Sequence, residues 1–348
     1  MNSGNEFAFF REIFYGLTQR NPFPWQERAF TSLLQGELPD TVNLPTGTGK
    51  TSLIPIWLSA LMWQAGRGPI NLPRRLVWVV NRRVVVDQAT DEAMTMVDRL
   101  RAPELAEWTD PLTKISLSGR LGHFPVTIST LRGQMADNGD WKLDPSRPAI
   151  IIGTVDMIGS RLLFSGYGDG KYKRPHHAGL LGQDAWVILD EAHLTPAFAD
   201  LLQAIRKEQQ RFPKLAPWHV SRLSATQRVA DAGSSISLSE ADVTNDIIGG
   251  RLRAQKSLHI HNLGEKDDEL ERIALCALAH KDALRRVIVF VKSPEAANKV
   301  CTRIGKDHSP RFIRVLTGTQ RGFERDALAI DPVFAGFRAN PERQPPSE

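Results

Sequence analysis

Cysteine is close to absent. Cys276 and Cys301 are the only two in 348 residues, and both fall late in the chain. Two thiols are too few for a disulfide scaffold or a four-ligand zinc site, so buried apolar surface must hold the fold, and a reducing compartment fits best. Long apolar runs are also missing: no stretch reaches membrane-spanning length. The opening residues Met1-Asn2-Ser3-Gly4-Asn5-Glu6 carry no basic segment leading into an apolar one, so no export signal is read there. The expectation is a cytoplasmic protein with no membrane partner. Neither internal repeats nor low-complexity blocks occur. Charge of one sign is only slightly in excess, at net +5, which tilts weakly toward a polyanionic partner.

What is present is an alternation of apolar runs with helical patterns, the signature of an α/β fold with a parallel sheet. Leu76 to Val80, Ala149 to Ile152, Ala185 to Leu189 and Val287 to Val291 read as strands, with Thr41 to Leu44 as a shorter one. Helices are expected at about Lys50 to Trp63, Val84 to Arg101, Asp156 to Phe164, Pro196 to Gln210 and Glu295 to Ile304. The length predicts two domains. The first takes 1–230 and a small, polar passage takes 231–256. A second, unfinished α/β unit with strands near Ser257 to His261, Val287 to Val291 and Arg311 to Leu316 takes 257–338, and a proline-rich polar tail takes 339–348.

Three short segments carry chemistry. Leu44-Pro45-Thr46-Gly47-Thr48-Gly49-Lys50-Thr51 reads as a phosphate loop between a strand and a helix, although Leu44 stands where the commonest pattern has glycine. Thr46, Gly47, Thr48 and Gly49 offer backbone N–H groups to ATP, Lys50 reaches the β- and γ-phosphates, and the Thr51 hydroxyl holds Mg²⁺. Asp190-Glu191-Ala192-His193 follows a strand; Asp190 serves the metal and Glu191 orients or deprotonates water. Ser224-Ala225-Thr226 comes third, and His193 is read as linking the γ-phosphate to Ser224 and Thr226. Upstream, Gln26 in Phe23-Pro24-Trp25-Gln26 pairs acceptor and donors as adenine N6 and N7 require, with a capping role as the plain alternative.

Arginines, threonines and glycines at strand ends suit sequence-independent phosphate contact. Arg82 and Arg83, Thr130 and Arg132, Thr154, and Thr317 with Gly318 are the candidates, against the simpler reading of solvated loops. Lys171-Tyr172-Lys173-Arg174-Pro175-His176-His177 is read as either a mobile loop that engages a strand or an ordinary solvated one.

With these residues in view, the chain resembles the superfamily 2 DEAH-type helicases. More narrowly it is similar to the helicase module of the CRISPR-associated helicase-nuclease of type I systems, in its compact subtype. That likeness rests on Arg174-Pro175-His176-His177-Ala178-Gly179-Leu180-Leu181-Gly182, on Gly153-Thr154-Val155-Asp156-Met157, and on Leu316-Thr317-Gly318 with Arg321 and Glu324-Arg325-Asp326. The resemblance implies a RecA-like sheet of the P-loop NTPase kind, complete in the first domain and partial in the second. It implies an ATP-driven helicase or translocase that loads on the single-stranded DNA displaced by a CRISPR effector complex. In such helicases the Ser224 segment couples hydrolysis to movement.

Two departures qualify the likeness. No His-Asp dipeptide occurs, so the nuclease would act from a separate domain or subunit in trans. The second domain is expected to stop before the late motifs that carry arginine fingers, which predicts ATP binding with slow turnover. Rival readings are an RNA helicase or restriction-type DNA translocase, and a nucleotide-binding remnant or split-gene half.

Overall fold

The structure, a computed structural model, describes residues 3–131, 138–212, 216–224, 233–264, 267–280, 286–307, 309, 312–318, 320, 324, 327–328 and 331–337; the side chains of 3, 4, 83, 84 and 335 lie outside that description. It divides into two units, Met1–Gln255 and Lys256–Glu348.

The first unit is built on a seven-stranded sheet in the order β3-β4-β2-β5-β6-β1-β7. The strands are β1 (Thr41–Asn43), β2 (Arg75–Val80), β3 (Thr127–Leu131), β4 (Ala149–Thr154), β5 (Ala185–Leu189), β6 (Trp218–Ser224) and β7 (Ser235–Ser237). All six pairings are parallel. Successive side chains point to opposite faces, so each central strand feeds two cores at once. Leu76, Trp78 and Val80 of β2 join one core with Ile150, Ile152, Trp186 and Ile188. Val77 and Val79 join the other with Ile151, Val187 and Leu189. Burial on both faces is why these runs need no polar alternation.

Helices cover both faces. Against the first core lie α1 (Ser3–Thr18), α2 (Pro24–Leu34), α3 (Leu53–Ala65), α4 (Arg83–Arg99) and α5 (Ala106–Lys114). Against the second lie α7 (Val155–Leu162), α8 (Lys173–Gly182) and α9 (Pro196–Gln209), with α6 (Leu117–Arg120) as a single turn before β3. The α3 sequence is apolar nearly all round, and eleven of its residues are buried; such a helix belongs in a core. Buried indoles keep their N–H groups paired: Trp57 donates to Pro73 O at 2.9 Å, Trp186 to Ser221 Oγ at 2.7 Å and Trp218 to Leu181 O at 2.8 Å.

Three expectations change. The Lys171 to His177 stretch enters α8, with His177 buried and its Nδ1 2.7 Å from Asp169 Oδ2. The glycines around it suggested a loop; the buried cluster in which Arg161 pairs with Asp169 and His177 hydrogen-bonds to it anchors the stretch instead. Residues 231–256, expected as a passage, are structured in their described part: β7 pairs with β1, and α10 (Glu240–Thr244) and α11 (Asp246–Arg253) follow.

In the second unit, α12 (Glu269–Leu278) and α13 (Pro294–Asp307) pack together through buried Ala274 and Val300, and Arg303 pairs with Asp268 at 2.5 Å. No strand occurs among its described residues, including 257–261 and 287–291. Strand propensity without a hydrogen-bonding neighbour does not make a strand, and Leu258, Ile260 and Phe290 stand 84%, 79% and 87% exposed.

Candidate nucleotide site and its neighbours

Parallel pairing puts every strand's carboxyl end on one edge, and the loops leaving that edge hold the candidate residues. The order β5-β6-β1 brings three of them together. β1 runs into the phosphate loop, Ser224 ends β6 in register with Asn43, and Asp190 follows β5.

The loop turns on Gly47 and Gly49, both at φ +85°. That region favours glycine, and at Gly49 a Cβ would also come within 3.2 Å of Gln26 Nε2. Thr48 is buried, with its hydroxyl donating to Pro45 O at 2.7 Å, whereas Thr46 and Gly47 are exposed. Lys50, Thr51 and Ser52 form a 3-10 turn leading into α3.

Lys50 Nζ is buried and has no hydrogen-bond partner among the described residues; Glu191 Oε1 lies 3.5 Å away. A buried ammonium lacking hydrogen bonds is costly, and phosphate oxygens are the ligand that would satisfy it. This donor set fits a magnesium-bound nucleotide. Among the described residues no cluster of three or more His, Cys, Asp or Glu could hold a metal alone. Mg²⁺ on phosphates needs only one or two protein oxygens.

Asp190 is half-buried, and its backbone N–H donates to Val79 O at 2.9 Å. Burial first, then the neighbouring Glu191 charge, raise its carboxyl above the ordinary value, with Lys50 pulling the other way. Glu191 stands in the left-handed region at φ 47° and ψ 52°, which turns its carboxylate toward Lys50. The exposed His193 ring places Nδ1 3.4 Å from Glu191 Oε2. Thus Lys50, Glu191 and His193 form one connected line. Thr226 and Arg132 lie outside the described residues.

Gln26 is buried and spends both ends of its amide within the chain: Oε1 accepts from Phe23 N at 2.7 Å and Nε2 donates to Ser52 Oγ at 2.6 Å. Each end retains capacity for one further bond. Trp25, a neighbour that the motif reading passed over, donates its indole N–H to Thr48 O at 3.1 Å. So α2 is bonded directly to the phosphate loop.

Residues 19–226 match the family described as type III restriction enzyme, res subunit. The chain belongs to that family. No curated protein matches it in sequence. Among solved structures, the DUF1998 helicase MrfA bound to DNA and AMPPNP aligns at a TM-score of 0.57 and 13% identity, over 91% of this chain and 41% of that one. This res-family chain thus spans less than half the length of MrfA. A variant of S. cerevisiae Dbp5 bound to RNA and ADP BeF3 aligns at 0.52 and 17% identity, over 92% of this chain and 70% of that one. At such identity the likeness is one of fold, and the fold is RecA-like.

The other half of this res-family sheet, β3-β4-β2, carries the remaining candidates. Arg82 is exposed at the start of α4, and Arg83 opens that helix. Thr130 pairs in register with Ile152, and its hydroxyl lies 3.1 Å from that of Thr90. Thr154 is buried and caps α7, accepting from Met157 N at 3.4 Å. Both hydroxyls already have partners inside the fold. Thr317 and Gly318 belong to the second unit, where Thr317 N donates to Gln320 Oε1 at 3.4 Å.

Proposed function

We propose that this chain binds ATP with Mg²⁺ and uses it to move along a single nucleic-acid strand. The observation that carries this reading is the buried, unsatisfied Lys50 ammonium facing Glu191 beside a loop turned by two left-handed glycines. Gly47 to Thr51 would cradle the phosphates, Lys50 would balance their charge, and Thr51 with Asp190 would hold Mg²⁺. When bound, Mg²⁺ supplies charge neutralisation at the transferred phosphoryl group. Glu191 holds and orients the attacking water, and its strained backbone fixes that carboxylate against Lys50. His193 and Ser224, with Thr226, would pass the change to the neighbouring loops, and Gln26 would read adenine with its spare donor and acceptor.

The strand would lie across the β3-β4-β2 edge, touching Arg82, Arg83, Thr130, Arg132 and Thr154. In this reading the second unit is part of a second RecA-like domain and adds Thr317 and Gly318. MrfA and Dbp5, bound respectively to DNA and RNA, support a nucleic-acid partner. The motif run Arg174 to Gly182 favours the role in type I CRISPR interference, with an effector complex as partner and a nuclease acting in trans. The family match favours a second reading, a restriction-type DNA translocase.

The test is ATP turnover by the purified chain with Mg²⁺, with and without single-stranded DNA. ATP binding with slow turnover, falling further in Glu191→Gln, is the expected result; strong DNA-stimulated turnover lost in Glu191→Gln would overturn the reading that the arginine fingers come from elsewhere. Lys50→Ala should raise the dissociation constant for ATP roughly tenfold or more, the worth of a charge-assisted bond; unchanged affinity would remove the assignment.

A further inference from the structure

A phosphate loop spends its amide N–H groups on an anion, so its carbonyls need partners of their own. The Trp25 indole serves Thr48 O. The second partner is an arginine from far along the chain: Arg251 of α11 donates through Nη1 to Gly47 O. Arg251 is exposed, and no carboxylate among the described residues pairs with it. A guanidinium carries five donors in a rigid fork. One is spent on Gly47, and the rest have no partner among the described residues.

The placement is built rather than incidental. Asn245 caps α11, accepting from Ile247 N and Ile248 N at 3.1 and 3.2 Å. Ile248 is fully buried in the main core. Gly249 packs so tightly against α10 that a Cβ there would meet Val243 O at 2.3 Å. In α10 itself, buried Asp242 accepts from Trp25 N at 2.7 Å and from Arg28 Nη2 at 2.8 Å. The α10–α11 pair is therefore fastened to α2, the same helix that holds Thr48 and Ser52, and Arg251 is the side chain this bracket aims at Gly47.

We propose that Arg251 is a nucleotide-contacting residue that anchors on the Gly47 carbonyl and turns its remaining donors to the phosphate oxygens of ATP. The inference rests on the ATP reading above. It adds a cation to the site from outside the three motifs. Just beyond Arg253 the chain passes into the second unit, so a residue responsive to phosphate sits beside the covalent join between the units. Arg251 thereby ties the occupancy of the loop to the helix that leads into that join.

The test measures binding of ATP, ADP and adenosine by titration calorimetry to the full chain and to Arg251→Ala, Arg251→Gln and Arg251→Lys, with thermal melting to show that each folds. Loss of a charge-assisted contact should weaken ATP and ADP roughly 10- to 100-fold in the alanine and glutamine variants, with adenosine unchanged and lysine restoring part of the loss. Wild-type ATP affinity in both neutral variants, or an equal loss for adenosine, would overturn it. If Lys50→Ala weakens ATP while the Arg251 variants do not, the arginine inference alone falls. If the unaltered chain binds no nucleotide, both readings fall.

Discussion

Glu191 occupies a backbone conformation that costs most side chains about 1 kcal/mol or more, at φ 47° and ψ 52°. Its carboxylate, 3.5 Å from Lys50 and 3.4 Å from His193, is what that strain positions. Glu191→Gly and Glu191→Ala both delete the carboxylate and differ in the backbone alone. Glycine should be the more stable by about 1 kcal/mol, read as a shift in urea midpoint, and both should lack turnover. Asp190 shows the same trade in its charge. Its raised carboxyl means the folded state holds a proton more tightly than the unfolded one, so stability falls as pH rises above the ordinary value of 3.8. Asp190→Asn should therefore be the more stable at neutral pH, a gain that shrinks as pH falls toward 3.8, while magnesium-dependent nucleotide affinity drops. Parallel melting and binding curves would check it. These two residues were legible in the sequence because a strand followed by Asp-Glu is a local pattern. The Trp25 and Arg251 contacts to the phosphate loop were not, since nothing near either residue marks a partner so distant in the chain.

At the scale of elements, legibility followed burial. The strands β2, β4 and β5 each carry an unbroken apolar run and read directly, and α3, α4, α7 and α9 begin within a few residues of their expected starts. Strand β6, Trp-His-Val-Ser-Arg-Leu-Ser, passed unread because His219, Ser221 and Arg222 break its apolar run. Two of these groups share a partner within the fold: His219 Nε2 lies 3.0 Å from Pro39 O, and Ser221 bonds the same carbonyl. The second-unit runs failed in the opposite sense, apolar enough for strands but without a described neighbour to pair with. The join of α6 to the turn before β4 was also invisible, because it depends on one buried carboxylate. Asp144 accepts from Ser118 N at 2.7 Å and from Ser146 N at 3.0 Å. Burial alone would raise it, yet hydrogen bonds from Ser146 and Ser118 outweigh burial and hold it at about 2 rather than 3.8. Its contribution is thus present above pH 3.8 and is lost as pH falls toward 2. Asp144→Asn should cost about 2 kcal/mol at neutral pH and flatten the acid limb of a stability–pH profile measured in urea.

Across the whole molecule, the first unit holds both large cores and the candidate phosphate loop, closing only at Gln255. A fragment of residues 1–255 should melt cooperatively and bind ATP as the full chain does. One ending at Ser224 lacks β7, Asp242 and Arg251, and should lose both properties; circular dichroism and calorimetry would decide. The strand order carries a consequence for synthesis. β1 is made before every other strand of its sheet yet lies between β6 and β7, the last two to be made. Until those arrive, its backbone groups have no ladder, and long-range pairing of this kind is slow and exposes the nascent chain. The phosphate loop, made before most of its unit, is among the last parts of that unit to take shape.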